Sequence, residues 1–195
     1  MKKKAEKRNY KTFFFISNRR VSRMPKIHAS SYIAPTAVII GNVTIGKNCG
    51  VFPYAVIRGD ENAIVIGDGS NIQDCCVLHT DTENQVTIGK NVTVGHAAVV
   101  HGASIADECL IGIHATVLNG SQIHSGSIIG ACALVTENMI VPENSLVLGI
   151  PGKIIKQDPT YINVIRNNAL VYQILSQKHK QGKYPVYLSS EKTSW

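Results

Sequence analysis

The sequence predicts an all-β fold, a parallel β-helix of hexapeptide repeats with an α-helix packed alongside it. Two observations predict this fold. Aliphatic residues recur every six positions through most of the chain, and a cluster of chain-breaking residues then separates the repeat from a segment with helical periodicity. An amphipathic helix would repeat its apolar positions every three and four residues, and a half-buried strand every two. A period of six therefore indicates the coils of a solenoid.

The repeat contains nineteen aliphatic positions, many of them followed by a small residue, as in Ile45-Gly46. The aliphatic side chain points into the core and the small residue lets the chain turn. Several coils must stack because one coil cannot bury its own inner face. The positions are Ile33, Ile39, Ile45, Val51, Ile57, Ile66, Ile72, Leu78, Ile88, Val94, Val100, Ile105, Ile111, Val117, Ile123, Ile129, Val135, Val141 and Val147.

The six-residue spacing is interrupted at three places. The steps Ile57–Ile66 and Leu78–Ile88 are nine and ten residues long, which predicts protruding loops of three and four extra residues. The step Val100–Ile105 is one residue short. Insertions in a solenoid cluster on its functional face, so these breaks indicate where the chemistry lies.

If three hexads close one coil, every third aliphatic position is equivalent. The residues that directly follow three such positions, in successive coils, then stack in one column. These residues are Arg58, His79 and His101, at levels about 4.8 Å apart. Two imidazoles so placed can share one metal ion through bonds of about 2.0–2.1 Å. His96 belongs to the preceding face of the coil, so a third histidine ligand must come from a neighbouring subunit. A threefold oligomer with a site at each interface satisfies this with closed symmetry.

The segments around the repeat are assigned from composition and helix signals. The predicted organisation is a basic N-terminal extension at 1–26, the β-helix at 27–153, a C-terminal helix at 154–182 and a tail at 183–195. The breaker cluster Gly149-Ile150-Pro151-Gly152 ends the repeat, Asp158 can cap the helix, and Gly182 can end it.

The charge and cysteine content exclude several functions. The net charge is +7, but residues 1–23 alone carry +8, which leaves −1 for the rest of the chain. A body so close to neutral offers no basic surface for a nucleic acid. No apolar run is long enough to span a membrane. Five cysteines without metal-type spacing fit buried or semi-buried thiols in a reducing cytoplasm, where we expect this protein.

Four motifs resemble the signature of the γ-class carbonic anhydrase family. They are Val56-Ile57-Arg58-Gly59-Asp60, Asn71-Ile72-Gln73-Asp74, Leu78-His79 and Gly95-His96-x4-His101-Gly102, within a resemblance that runs from about residue 25 to residue 184. It implies a left-handed β-helix and a homotrimer. It also implies a metal held by His79 and His101 of one subunit and His96 of the next.

The resemblance also implies the chemistry of the site. Zn²⁺ is the expected ion, with Fe²⁺ or Co²⁺ as possible substitutes. Three imidazoles leave one coordination position of the ion for a water molecule. A catalytic zinc ion lowers the pKa of such a water to about 7, and carbonic anhydrase is the standard example of this effect. The implied reaction is the reversible hydration of carbon dioxide to bicarbonate. Gln73 would orient the water or the substrate, with support from Asn71 and Asp74, and Tyr172 would close the pocket.

Arg58 and Asp60 resemble the family's ion pair across the subunit interface. One departure from the family pattern concerns the rate. Only sixteen residues separate His79 from His96, without the long acidic loop and proton-shuttling glutamate of the family's best-known active enzymes, so we expect a slow turnover.

Two alternatives stay open. One is an acyl-CoA-dependent acyltransferase with a histidine general base, and the other is a non-catalytic, metal-stabilised assembly module.

Overall fold

The computed structural model describes residues 24–187, which form nineteen β-strands and one α-helix. Most of the predicted N-terminal extension and the end of the predicted tail lie outside the described residues. The strands are β1 Lys26–Ile27, β2 Tyr32–Ile33, β3 Val38–Ile45, β4 Gly50–Val51, β5 Val56–Ile66, β6 Asn71–Ile72, β7 Val77–His79, β8 Val86–Ile88, β9 Thr93–Val94, β10 Val99–His101, β11 Ser104–Ile105, β12 Leu110–Ile111, β13 Thr116–Val117, β14 Gln122–Ile123, β15 Ile128–Ile129, β16 Leu134–Val135, β17 Ile140–Val141, β18 Ser145–Leu148 and β19 Lys153–Gln157, and the helix is α1 Tyr161–Lys180.

Parallel strands stack into three columns, each strand pairing with the strand one coil away. The helix face consists of β2, β4, β6, β9, β12, β15 and β18. The histidine face consists of β7, β10, β13 and β16, and the third face of β8, β11, β14 and β17. Strands β3 and β5 are long enough to bend through a corner and pair on both of the latter faces. The predicted parallel β-helix is confirmed.

The interior of the solenoid holds the predicted aliphatic side chains. All of those from Ile45 to Val147 are buried, and Ile33 and Ile39 are partly buried because they lie in the first coil, at the end of the stack. Burying one such side chain stabilises the fold by about 1.5–3 kcal/mol. A second inward position, four residues further on, takes a small side chain, as at Ala55, Cys76, Ala98, Ala115 and Ala133.

The two predicted loops have different structures. The segment 80–85 between β7 and β8 is a loop, as predicted. The prediction of a loop within Ile57–Ile66 is wrong, because β5 runs through this segment as one bent strand. Gly41 pairs with Gly59 and Val43 pairs with Ile64, so a single residue of β3 lies opposite four of β5. The three extra residues are therefore absorbed in a bulge of the sheet.

The C-terminal region contains a strand where the sequence predicted the start of the helix. Strand β19 turns back and pairs antiparallel with β18, so that the last coil does not expose a long unpaired edge. Asp158 Oδ1 then accepts hydrogen bonds from the backbone N–H and the hydroxyl of Thr160, just before α1. Helix α1 ends at Lys180, and Gly182, the predicted stop signal, follows two residues later with a φ of +71°.

Helix α1 packs on β2, β4, β6 and β9 of the helix face. Its buried residues are Ile165, Ala169 and Ser176, which recur at the spacing of one helix face. Among residues 24–187, no helix has the length and apolar character that a membrane crossing requires. Packing of α1 against the solenoid brings Asn168 and Tyr172 toward the coils that carry the candidate site.

Candidate metal centre

Two of the predicted histidines are neighbours on adjacent coils of the histidine face. Strand pairing sets Arg58 opposite His79 and His79 opposite His101, so the predicted column is confirmed. The two imidazole centroids are 4.9 Å apart. Nδ1 of His79 lies 2.9 Å from Nε2 of His101. The stacking of successive coils thus brings two ring nitrogens of one chain to a common point.

The other ring nitrogen of His79 faces a carboxylate. Nε2 of His79 lies 3.2 Å from Oδ1 of Asp60, and Arg58 Nη1 donates to Oδ2 of the same carboxylate at 2.7 Å. Partial desolvation raises the pKa of Asp60, but hydrogen bonds from Arg58, the backbone and His79 outweigh it and hold that pKa below its ordinary value. Because an ionised carboxylate only accepts hydrogen bonds, Nε2 of His79 carries the proton.

The other ring nitrogen of His101 faces an amide. Nδ1 of His101 lies 2.5 Å from Oδ1 of Asn119. The orientation of this amide follows from its second contact, in which Nδ2 of Asn119 donates to Oδ2 of Asp81 at 2.5 Å. Since the Asn119 oxygen can only accept, Nδ1 of His101 carries the proton.

These partners leave both facing nitrogens without a proton. A neutral imidazole carries one N–H, so Nδ1 of His79 and Nε2 of His101 each present a lone pair across 2.9 Å. Two lone pairs at this distance repel each other unless a proton or a metal ion lies between them. A divalent metal bound to histidine satisfies this arrangement, and bonds of about 2.0–2.1 Å can bridge the gap. The pair therefore fits a metal site.

His96 lies at the corner that precedes the histidine face and binds different partners. Its Nδ1 is 2.9 Å from Oδ2 of Asp74 and its Nε2 is 3.3 Å from the hydroxyl of Tyr172. Desolvation and the nearby Asp74 carboxylate raise the pKa of Tyr172, so the phenol keeps its proton and donates to the ring. Within residues 24–187, no three histidine, cysteine or acidic side chains come together as a metal site.

The predicted Gln73, Asn71 and Asp74 lie on the coil next to His96. Gln73 is 3% exposed. Its Oε1 accepts the backbone N–H of His96 at 3.1 Å, and its Nε2 donates to Asn71 Oδ1 at 3.1 Å. Within one chain, Gln73 therefore holds the backbone that carries His96. Its contact with water or substrate stays a prediction.

Asn71 connects this amide network to the terminal helix. Asn71 Nδ2 donates to Thr93 Oγ1, and that hydroxyl donates to Asn168 Oδ1 of α1, each at 2.9 Å. The network runs from α1 through the buried Asn71 to Gln73. The docking of α1 and the position of the His96 corner are therefore linked by hydrogen bonds.

Two further expectations are refined by the structure. Arg58 and Asp60 bond within the chain, and their role across an interface stays a prediction. Cys49 and Cys109 are buried at small inward positions like Cys76, and burial raises the pKa of Cys76 and Cys109 to about 12. Cys75 and Cys132 are exposed, contrary to the expectation of buried or semi-buried thiols, because both lie at coil corners with positive φ.

Sequence reasoning missed Asn119 and Asp81, the partners behind His101. The signal for Asn119 is the short step from Val100 to Ile105. The next coil has the full six residues from Val117 to Ile123, so Asn119 is its extra residue at the same corner. No comparable signal marks Asp81 as a partner, since it lies 38 residues from Asn119.

The chain is similar to proteins named carbonic anhydrase, although no family model matches it. A protein of Methanocaldococcus jannaschii named "Probable carbonic anhydrase" is 51% identical over 74% of this chain and 92% of its own length. Gamma carbonic anhydrase 1 of Arabidopsis thaliana, a mitochondrial protein, is 34% identical over 80% of this chain, which spans 60% of the plant protein. A crystal structure of a hexapeptide transferase family protein from Anaplasma phagocytophilum has a TM-score of 0.75 at 34% identity, covering 78% of this chain and 91% of that one.

Proposed function

Since the chain belongs to the γ-class carbonic anhydrase family of hexapeptide-repeat proteins, we propose that it is a metal-dependent carbonic anhydrase that interconverts carbon dioxide and bicarbonate. The observation that carries this proposal is the pair of unprotonated ring nitrogens of His79 and His101, 2.9 Å apart. A metal ion bound to both nitrogens would satisfy this arrangement.

The proposed site is shared between two subunits. His79 and His101 of one chain would hold the ion together with His96 of the partner subunit, and Zn²⁺ is the first expectation, with Fe²⁺ or Co²⁺ as alternatives. When bound, such an ion acts as a Lewis acid that lowers the pKa of water and so supplies hydroxide near neutral pH.

The residues around the histidines would orient them. Asp60 holds the ring of His79, and Asp74 holds the ring of His96 through hydrogen bonds of 3.2 and 2.9 Å. Partners of this kind set which ring nitrogen is free and raise the basicity of the ligand. Tyr172 lies beside His96 Nε2, where a subunit that approaches His96 would meet its phenol.

A homotrimer is supported by the outer surface of the histidine face. Successive strands present aliphatic side chains outward at equivalent positions, and two of them, Val38 and Val77, are 46% and 37% exposed. An apolar stripe beside His79 and His101 fits a subunit interface, and threefold symmetry would place one site at each interface. Light scattering on the purified protein tests this, and a monomer that holds stoichiometric metal would contradict the shared site.

The experiment for the proposed function measures metal content and carbon dioxide hydration on the same preparation. His96→Ala should lose both the ion and the activity, because it removes one of three ligands. Elemental analysis of protein purified without added metal gives the first measurement, and stopped-flow hydration on zinc- and iron-loaded protein gives the second. Retention of either property in His96→Ala would count against the proposal.

An acyltransferase is the second candidate, favoured by the similarity to the hexapeptide transferase family protein. Such an enzyme needs one histidine as general base and no bound metal. Metal-free protein with acyl-CoA-dependent activity would favour it. A third candidate, a metal-stabilised assembly module, predicts stoichiometric metal with hydration rates no better than those of the free ion.

A further inference from the structure

We propose that Asn119 and Asp81 form a positioning pair that holds His101 in the tautomer with its proton on Nδ1. In this tautomer the Nε2 that faces His79 carries no proton. The inference rests on the proposed function, since it concerns one ligand of the proposed metal site. Its basis is a chain of two short contacts, His101 Nδ1 to Asn119 Oδ1 and Asn119 Nδ2 to Asp81 Oδ2, both 2.5 Å.

Asp81 forces the orientation of the Asn119 amide. Its Oδ1 accepts the backbone N–H groups of Glu83 and Asn84 at 2.8 and 2.6 Å, which fixes the carboxylate in the 80–85 loop. Its Oδ2 then faces Asn119. A carboxylate accepts and does not donate, so the amide must present its NH₂ group to Asp81 and its oxygen to His101.

The backbone around Asn119 is built for this close approach. A Cβ atom at Gly102 would lie 2.5 Å from Asn119 Oδ1, and Gly102 has a φ of +56°. Glycine directly after His101 therefore leaves the space that the Asn119 side chain occupies, and it adopts the positive φ of this corner without strain. The extra residue in the coil of Asn119 supplies a side chain at this corner that the coil of His101 does not have.

The first test reads the tautomer directly in metal-free protein. Long-range ¹H–¹⁵N correlation spectra of histidine-labelled protein should show the proton of His101 on Nδ1. The signals of His101 are identified as those that disappear in His101→Asn. Asn119→Leu removes the acceptor and should abolish this preference. It should also weaken Zn²⁺ binding, measured by chelator competition, by about 10- to 100-fold, as loss of a partner behind a ligand typically does.

The second test exchanges the two functional groups. Asn119→Asp places a carboxylate against Asp81 and should weaken Zn²⁺ binding. The double change Asp81→Asn with Asn119→Asp restores a donor facing an acceptor and should recover the wild-type tautomer and most of the affinity. Asn138→Asp is the matched control, because Asn138 lies at the same corner one coil further on, where its backbone N–H donates to the Asn119 carbonyl; it should change neither measurement.

Two results would overturn the proposal. One is an Asn119→Leu protein that keeps the wild-type tautomer and affinity, and the other is a folded exchange variant that recovers neither. A wild-type protein that binds none of Zn²⁺, Fe²⁺ and Co²⁺ would refute the proposed function, while the tautomer of His101 in the metal-free protein would still decide the role of Asn119 and Asp81.

Discussion

Two single-histidine variants of this chain are expected to restore each other's metal site when they assemble together. His96→Ala keeps the pair His79 and His101, which lie opposite each other on β7 and β10. His101→Ala keeps His96, which lies at the preceding corner with Asp74 and Tyr172. Alone, each variant should form trimers in which every site lacks one ligand. Together, they can form an interface that contains all three histidines.

The expected amount of restored metal follows from the geometry of a cyclic trimer. An interface is complete only where a His96→Ala chain contributes the pair and a His101→Ala chain contributes His96. Every trimer that contains both variants has one such interface among its three, so purified mixed trimers should hold about one third of the wild-type metal.

The assay uses co-expression of the two variants with different affinity tags. Mixed trimers are isolated by passing the protein over both affinity resins, and their metal content is measured against wild type and each variant alone. His79→Ala mixed with His101→Ala is the matched control, because both changes fall on the same side of the interface and no complete site can form. Metal in the control would refute the division of ligands, and so would its absence from mixed trimers of the first pair.

Three further predictions concern single residues. Gln73→Leu removes the acceptor of the His96 backbone N–H and should weaken Zn²⁺ binding by about 10-fold or more; unchanged affinity with a lower hydration rate would instead support contact with the substrate. Ile111→Ala empties a fully buried position and should lower the free energy of urea unfolding by about 2–5 kcal/mol, whereas Val65→Ala, at a 41% exposed position, should change it by less than about 0.5 kcal/mol. Hydrogen bonds from Lys156 and Thr160 hold the pKa of Asp158 below its usual 3.8. Asp158→Ala should therefore lower the free energy of urea unfolding at neutral pH. The difference from wild type should shrink as the pH falls below 3.8, because Asp158 then becomes protonated in the unfolded and finally in the folded protein.

The solenoid could be predicted because its information is local in the sequence. The residues of each hexad set which side chain points inward and where the chain turns, and the stacked coils repeat this pattern. The same count placed His79 beside His101 without any knowledge of the rest of the molecule. The count gave the wrong structure within Ile57–Ile66. A break in the period shows that residues are added, but it does not show whether they leave the sheet as a loop or remain in it as a bulge.

The second layer of contacts around the histidines was decided only by the tertiary structure. Asp81 lies 38 residues from Asn119, and Tyr172 lies 76 residues from His96. The six-residue period does not relate these positions, since one partner belongs to an irregular loop and the other to a helix outside the repeat. Their placement depends on how the 80–85 loop folds back and how α1 docks on the helix face.

The sequence by itself determined the β-helix, its core and the neighbouring histidines, because inward alternation and coil length are properties of consecutive residues. Only the tertiary structure decided which nitrogen of each ring is free. That choice is made by Asp60, Asn119 and Asp74, which reach the rings from other coils or across a strand bulge. Hydrogen bonds between such side chains depend on distances of a few tenths of an ångström, and these are set by the packing of whole coils.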